Sequence, residues 1–132
     1  MNLWPQKFDA STAPPEMKSL IVQLMDLLLA GDAPPAAVLR EQFARARLAE
    51  LRLTGTGFFA DFEVPSEISR VDPLSWVGGR AEIDIEGVEH GAGCVLFVGD
   101  GAIQTLEGYT YDDVWPMHPR VSAIRNVVPL VV

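Results

Sequence analysis

The chain is poor in the residues on which most catalytic and metal-binding sites rest. A single cysteine, Cys94, among 132 residues rules out an intramolecular disulfide and a thiolate zinc cluster, and it fits a reducing compartment. Only two histidines occur, His90 and His118, with no H-x-x-x-H or H-E-x-x-H spacing, so neither reads as a metal ligand. Long apolar runs are missing too. The longest, residues 20–30, is broken by Gln23 and Asp26 and falls far short of the ~20 residues a membrane-spanning helix needs. The opening Met-Asn-Leu-Trp-Pro-Gln-Lys has no basic segment leading into an apolar stretch, so no signal peptide is read. These absences set the expectation of a cytoplasmic protein with no membrane contact, metal or cofactor.

Positive charge is scarce where strand signals are dense. Residues 1–60 balance six acids with six bases, whereas residues 61–113 set twelve acids against Arg70 and Arg80 alone, a net of −10. Arg120 and Arg125 then bring the whole chain to −8. Nucleic-acid binding requires a basic footprint to neutralise phosphates, and this block is the reverse. The field favours a basic protein partner, a cation or simple solubility.

What is present is a globular composition, 48% apolar and 21% charged, in a length that suits one domain. The spacing predicts a helix over 13–30, with Ser11 or Thr12 as N-cap, Pro14 and Pro15 in the first turn and Gly31 as a left-handed C-cap. Met17, Leu20, Ile21, Leu24, Leu27 and Leu28 form one apolar stripe, and Val22, Met25 and Leu29 a second. A helix apolar on two sides needs cover on both, from the domain's own sheet and either a second helix or another subunit. The protein is therefore expected to be a monomer, or a homodimer joined through this helix. A second helix follows over 33–46, capped by Asp32, with Arg40, Arg45 and Arg47 on a solvated face.

From residue 48 the period changes to two. Leu48 to Val64 reads as a hairpin around Thr54-Gly55-Thr56-Gly57, with Phe58, Ala60 and Phe62 on one face. Pro65 to Gly79 reads as a loop. Ala81, Ile83 and Ile85 alternate with Glu82, Asp84 and Glu86, a half-buried strand with an acidic outer face. Gly93 to Val98 is apolar on both faces, the pattern of a central strand covered on both sides. Beyond Pro116, Val121 to Val132 can form only an edge strand because of Pro129. The expected fold is α+β, with two N-terminal helices packed on an antiparallel meander of four to five strands over residues 48–132.

Chemistry-bearing groups are sparse. Cys94 and His90 would lie about 13 Å apart on an extended segment, too far for a nucleophile and its base. The glycines at 87, 91, 93, 99 and 101 lack the strand-to-helix context of a phosphate loop. The densest stretch is residues 106–116, Leu-Glu-Gly-Tyr-Thr-Tyr-Asp-Asp-Val-Trp-Pro. Alternation puts Glu107, Tyr109 and Tyr111 on one side, an aromatic platform rimmed by carboxylates. Its counterpart reading is structural, with Trp115 filling the core. The candidate binding residues are Glu107, Tyr109, Tyr111, His90, Glu82 and Asp84, and no catalytic residue is assigned.

Two runs carry a resemblance. T-G-x-G-F-F-x-x-F-x-V-P at residues 54–65 and H-G-A-G-x-x-L-F-x-x-D-G…L-E-G-Y-T-Y-D-x-x-W-P at residues 90–116 resemble a group of small uncharacterised bacterial proteins. The resemblance covers about half the chain. It implies an α+β domain in a bacterial cytoplasm and supplies no activity. Two functional expectations stand side by side. One is a non-enzymatic interaction module, such as an acidic immunity or inhibitor-type partner of a basic protein. The other is a small-molecule binder or enzyme with a pocket between the acidic strand and the aromatic segment.

Overall fold

A proline pair opens each helix. In the computed structural model, which describes residues 4–72 and 76–129, helix α1 spans Pro15–Leu28 and helix α2 spans Pro34–Arg45. Proline suits the first helical position because its fixed φ is already helical and its missing N–H is not needed there. The caps differ from the sequence expectation. Pro14 and Ala33 occupy the N-cap positions, and among the described residues no side chain caps either helix. Ser11 and Thr12 are drawn instead to the Asp9 carboxylate, whose Oδ1 accepts from both backbone N–H groups at 2.8 and 3.0 Å and from both hydroxyls. Nor does Gly31 form a left-handed cap; α1 ends at Leu28 with Leu29 as its C-cap. Arg40, expected on a solvated face, donates through Nη1 to Leu29 O at 2.6 Å and to Gly31 O at 2.9 Å. The guanidinium of α2 thus bonds two carbonyls just past the end of α1.

Among the described residues, seven strands form one antiparallel sheet. They are β1 (Gln6–Phe8), β2 (Arg47–Leu53), β3 (Gly57–Glu63), β4 (Trp76–Ile85), β5 (Ala92–Gly99), β6 (Ala102–Thr110) and β7 (Val121–Val128). Their spatial order is β1-β2-β3-β6-β5-β4-β7. The α+β class stands, but the meander of four to five strands is corrected on two points. A three-residue strand precedes the helices, too short to show a period. The long connection from β3 skips two places, so β6 returns to pair with β3 in a Greek-key order. Strand β4 also begins inside the segment expected to be a loop, with Gly79 at a bulge against β5. Pro73 lies outside the described residues. Strand β7 lies at the sheet edge and stops one residue before Pro129.

One hydrophobic cluster joins the helices to the inner sheet face. Met17, Leu20, Leu24 and Leu28 of α1 are buried together with Leu51, Phe58, Ile83, Cys94, Leu96 and Leu106 from the strands. Helix α1 approaches β4 and β7, and α2 approaches β6. Strand β5 departs from the expectation of cover on both faces: Cys94, Leu96 and Val98 are buried, while Val95 and Phe97 on the other face are only half-buried. That outer face is where the site residues gather. A polar anchor, Gln42, was read neither as core nor as site. Fully buried, it donates through Nε2 to Ser69 O and Gly101 O and accepts at Oε1 from Ile103 N–H at 2.9 Å.

Candidate functional site

Alternation along β6 divides the aromatic segment between two faces. Leu106 and Gly108 turn inward, and a Cβ on Gly108 would strike the Phe58 ring. Trp115 completes this inner side. It is buried, packs 5.0 Å from the Phe58 ring centroid, and donates through Nε1 to Met17 Sδ at 3.2 Å. Its backbone N–H bonds Gly55 O, which ties the corner after β6 to the β2–β3 turn.

Glu107 and Tyr109 turn outward. Tyr109 pairs across the ladder with Gly93, which in turn pairs with Glu82 of β4. The bare backbone at Gly93 lets the Tyr109 ring lie across β5, since a Cβ there would sit 2.7 Å from Tyr109 Oη. Tyr111 meets Tyr109 edge-to-face, with centroids 5.8 Å apart. Such a pair contributes beyond its buried area. Together with Arg80, Ala81, Glu82, Asn126 and Val128, the two rings line an open cavity of about 350 Å³.

Charge in this region is largely paired. Both oxygens of Asp84 accept from Arg125, from Nε at 2.7 Å and from Nη2 at 2.8 Å. These bonds hold the Asp84 carboxyl below its ordinary value and raise the arginine. Glu82 Oε2 accepts from Asn126 Nδ2 at 2.5 Å and lies 3.6 Å from Arg125 Nη1. Arg80 makes no ion pair among the described residues. Burial, followed by the neighbouring Tyr111 hydroxyl and the Glu107 charge, pushes the Tyr109 phenol up. Burial also pushes the Cys94 thiol up to about 12, so it stays a protonated, apolar core group.

The structure therefore brings three of the six candidates, Glu82, Tyr109 and Tyr111, to one cavity, and places the other three elsewhere. Asp84 is occupied by Arg125. Glu107 lies on the same face between Phe59 and Val95, outside the cavity lining. His90 sits in the β4–β5 turn, where its backbone N–H and ring Nδ1 both reach Asp113 Oδ2 at 3.0 and 3.2 Å. The sequence reading missed Arg80, Asn126 and Val128. Arg80 was within reach, because it stands two residues before Glu82 on the same face of β4. Asn126 and Val128 come only from the pairing of β7 with β4. Among the described residues, no group of three or more histidine, cysteine or carboxylate side chains is placed to hold a metal, and no helix is long and apolar enough to cross a membrane. No protein-family model, curated protein or solved structure matches the chain.

Proposed function

We propose that this chain is a non-enzymatic binding protein that takes its ligand in the outer-face cavity between β4, β7 and the Tyr109–Tyr111 pair. The observation that carries this reading is the convergence of Arg80 and Glu82 of β4 with Tyr109 and Tyr111 at the end of β6 on one open cavity. At about 350 Å³ the cavity falls within the size range of small-ligand sites, and its lining is mainly polar, with Arg80, Glu82 and Asn126 set against the two tyrosine rings. The lining supplies contact and charge without a poised nucleophile. The phenol of Tyr109 is held protonated, and the one thiol is sealed on the inner face. A fragment screen followed by NMR of the Tyr109 and Tyr111 ring signals tests the reading. Binders should shift both rings and lose affinity in Tyr111→Ala. A screen in which no fragment moves either ring ends it.

A second reading, an interaction surface for a basic protein, draws on a different observation. Val114 and Tyr111 are 65% and 51% exposed beside Asp112, and the post-β6 loop is joined through Asp113 to the β4–β5 turn that carries Glu86 and Glu89. Exposed apolar anchors rimmed by carboxylates suit an immunity or inhibitor-type contact whose association is speeded by charge. Affinity for such a partner should fall steeply with added salt and with Val114→Asp. An affinity indifferent to salt counts against it.

A further inference from the structure

The cavity carries more chemical information than its shape. Arg80 and Glu82 stand two residues apart on one face of β4, so their Cα atoms are about 6.6 Å apart and both side chains rise from the same floor. Opposite charges so placed would ordinarily bond each other. Here they do not. Asn126 and Arg125 draw Glu82 toward β7 by its Oε2, and among the described residues Oε1 has no hydrogen bond and Arg80 no carboxylate. The cavity thus presents an anion and a cation side by side, each with unused bonding capacity. Tyr111 beside them is 51% exposed.

A ligand of a single charge fits this lining poorly. A lone cation on Glu82 would face Arg80 and Arg125. A lone anion on Arg80 would face Glu82 and a chain of net charge −8. A ligand carrying both charges close together satisfies both groups, each through a charge-assisted bond of about 2.8 Å. Resting on the cavity reading above, we infer that the site takes a free α-amino acid with an apolar or aromatic side chain, its carboxylate on Arg80, its ammonium on Glu82 and its side chain against Tyr111. A peptide terminus carries only one of the two charges and falls outside this class.

The test titrates the protein with three probes at pH 6, following the Tyr109 and Tyr111 ring signals by NMR. The probes are L-phenylalanine, N-acetyl-L-phenylalanine, which lacks the cation, and L-phenylalaninamide, which lacks the carboxylate. Phenylalanine should bind about tenfold more tightly than either blocked form. Glu82→Gln and Arg80→Gln should each weaken it by about tenfold, while Arg80→Lys keeps part of the affinity. All of these side chains are exposed, and unchanged thermal melts confirm that the variants fold. If a blocked form binds as tightly as phenylalanine, the zwitterion assignment falls while the cavity reading stands. If none of the three moves either ring, the assignment falls as well, and the fragment screen then decides the cavity reading separately.

Discussion

Gly108 and Phe58 share a space that holds only one side chain. A Cβ built on Gly108 would lie 1.9 Å from Phe58 Cε2, and the phenylalanine is fully buried with Trp115 at its back. The ring has nowhere to go. Gly108→Ala should therefore destabilise the fold by about 1–3 kcal/mol, the usual cost of overpacking a tight core. Urea unfolding measures it. Phe58→Leu in the Gly108→Ala background should recover part of that loss, giving a coupling that distant sites would not show. An unchanged midpoint in Gly108→Ala would show that the ring is not held there.

Gln42 should behave differently when removed. Gln42→Leu takes away the acceptor for Ile103 N–H and a donor to Gly101 O and Ser69 O. Gly101 O keeps the Val71 N–H as a partner, so Ile103 N–H is the group left dry. One buried unsatisfied donor costs about 1–3 kcal/mol. Hydrogen exchange should locate that loss, with the Ile103 amide exchanging faster than its neighbours on β6.

Gln42 also marks where legibility ended. Strand faces were readable because a period of two is local: Ala81, Ile83 and Ile85 are buried, and Glu82 and Glu86 are exposed, as the alternation requires. The outward set of Glu107 and Tyr109 against inward Leu106 was readable for the same reason, whereas Trp115 turns inward only after the strand has ended. The order of the strands was not, because the pairing of β3 with β6 spans more than forty residues and leaves no local trace. The expected helix caps failed because other groups engage those residues: Asp9 takes the hydroxyls of Ser11 and Thr12, and Arg40 from α2 reaches Leu29 O and Gly31 O. Part of the cavity was invisible for the same physical reason, since Asn126 and Val128 arrive on a strand that pairs with β4 across the chain.

Asp84 and Arg125 link the last strand to the sheet in a pH-dependent way. The two hydrogen bonds hold the folded Asp84 below its unfolded value of about 3.9. A depressed carboxyl contributes stability that is fully present above the unfolded value and is lost as pH falls through the folded one. Acid melts of the native protein should accordingly drop over that interval, and Asp84→Asn should flatten the drop while leaving the remaining acid response in place. The effect is small, because the pair is exposed to solvent. Melting curves from pH 6 down to pH 2 that superimpose in slope for both proteins would exclude Asp84 as a contributor.

Gly93 offers the counterpart to Gly108 on the opposite face. A Cβ there would meet Tyr109 Oη at 2.7 Å and Cζ at 2.8 Å, atoms at the far end of a half-exposed side chain that can swing into solvent. Gly93→Ala should thus cost little stability, within the roughly 0.5 kcal/mol typical of surface changes. It should nonetheless dislodge the ring from the cavity wall. Burial is the largest cause of the raised Tyr109 phenol, so a displaced ring should titrate closer to the ordinary value of about 10. Spectrophotometric titration of the tyrosines measures that downward move, and the loss of the 5.8 Å contact with Tyr111 should appear in the ring shifts of both residues. A methyl on one side of β6 loosens the core while a methyl facing the other side only empties the cavity wall, because the inner ring is enclosed and the outer one is not. If Gly93→Ala unfolds as readily as Gly108→Ala, Tyr109 belongs to the fold and not to a site.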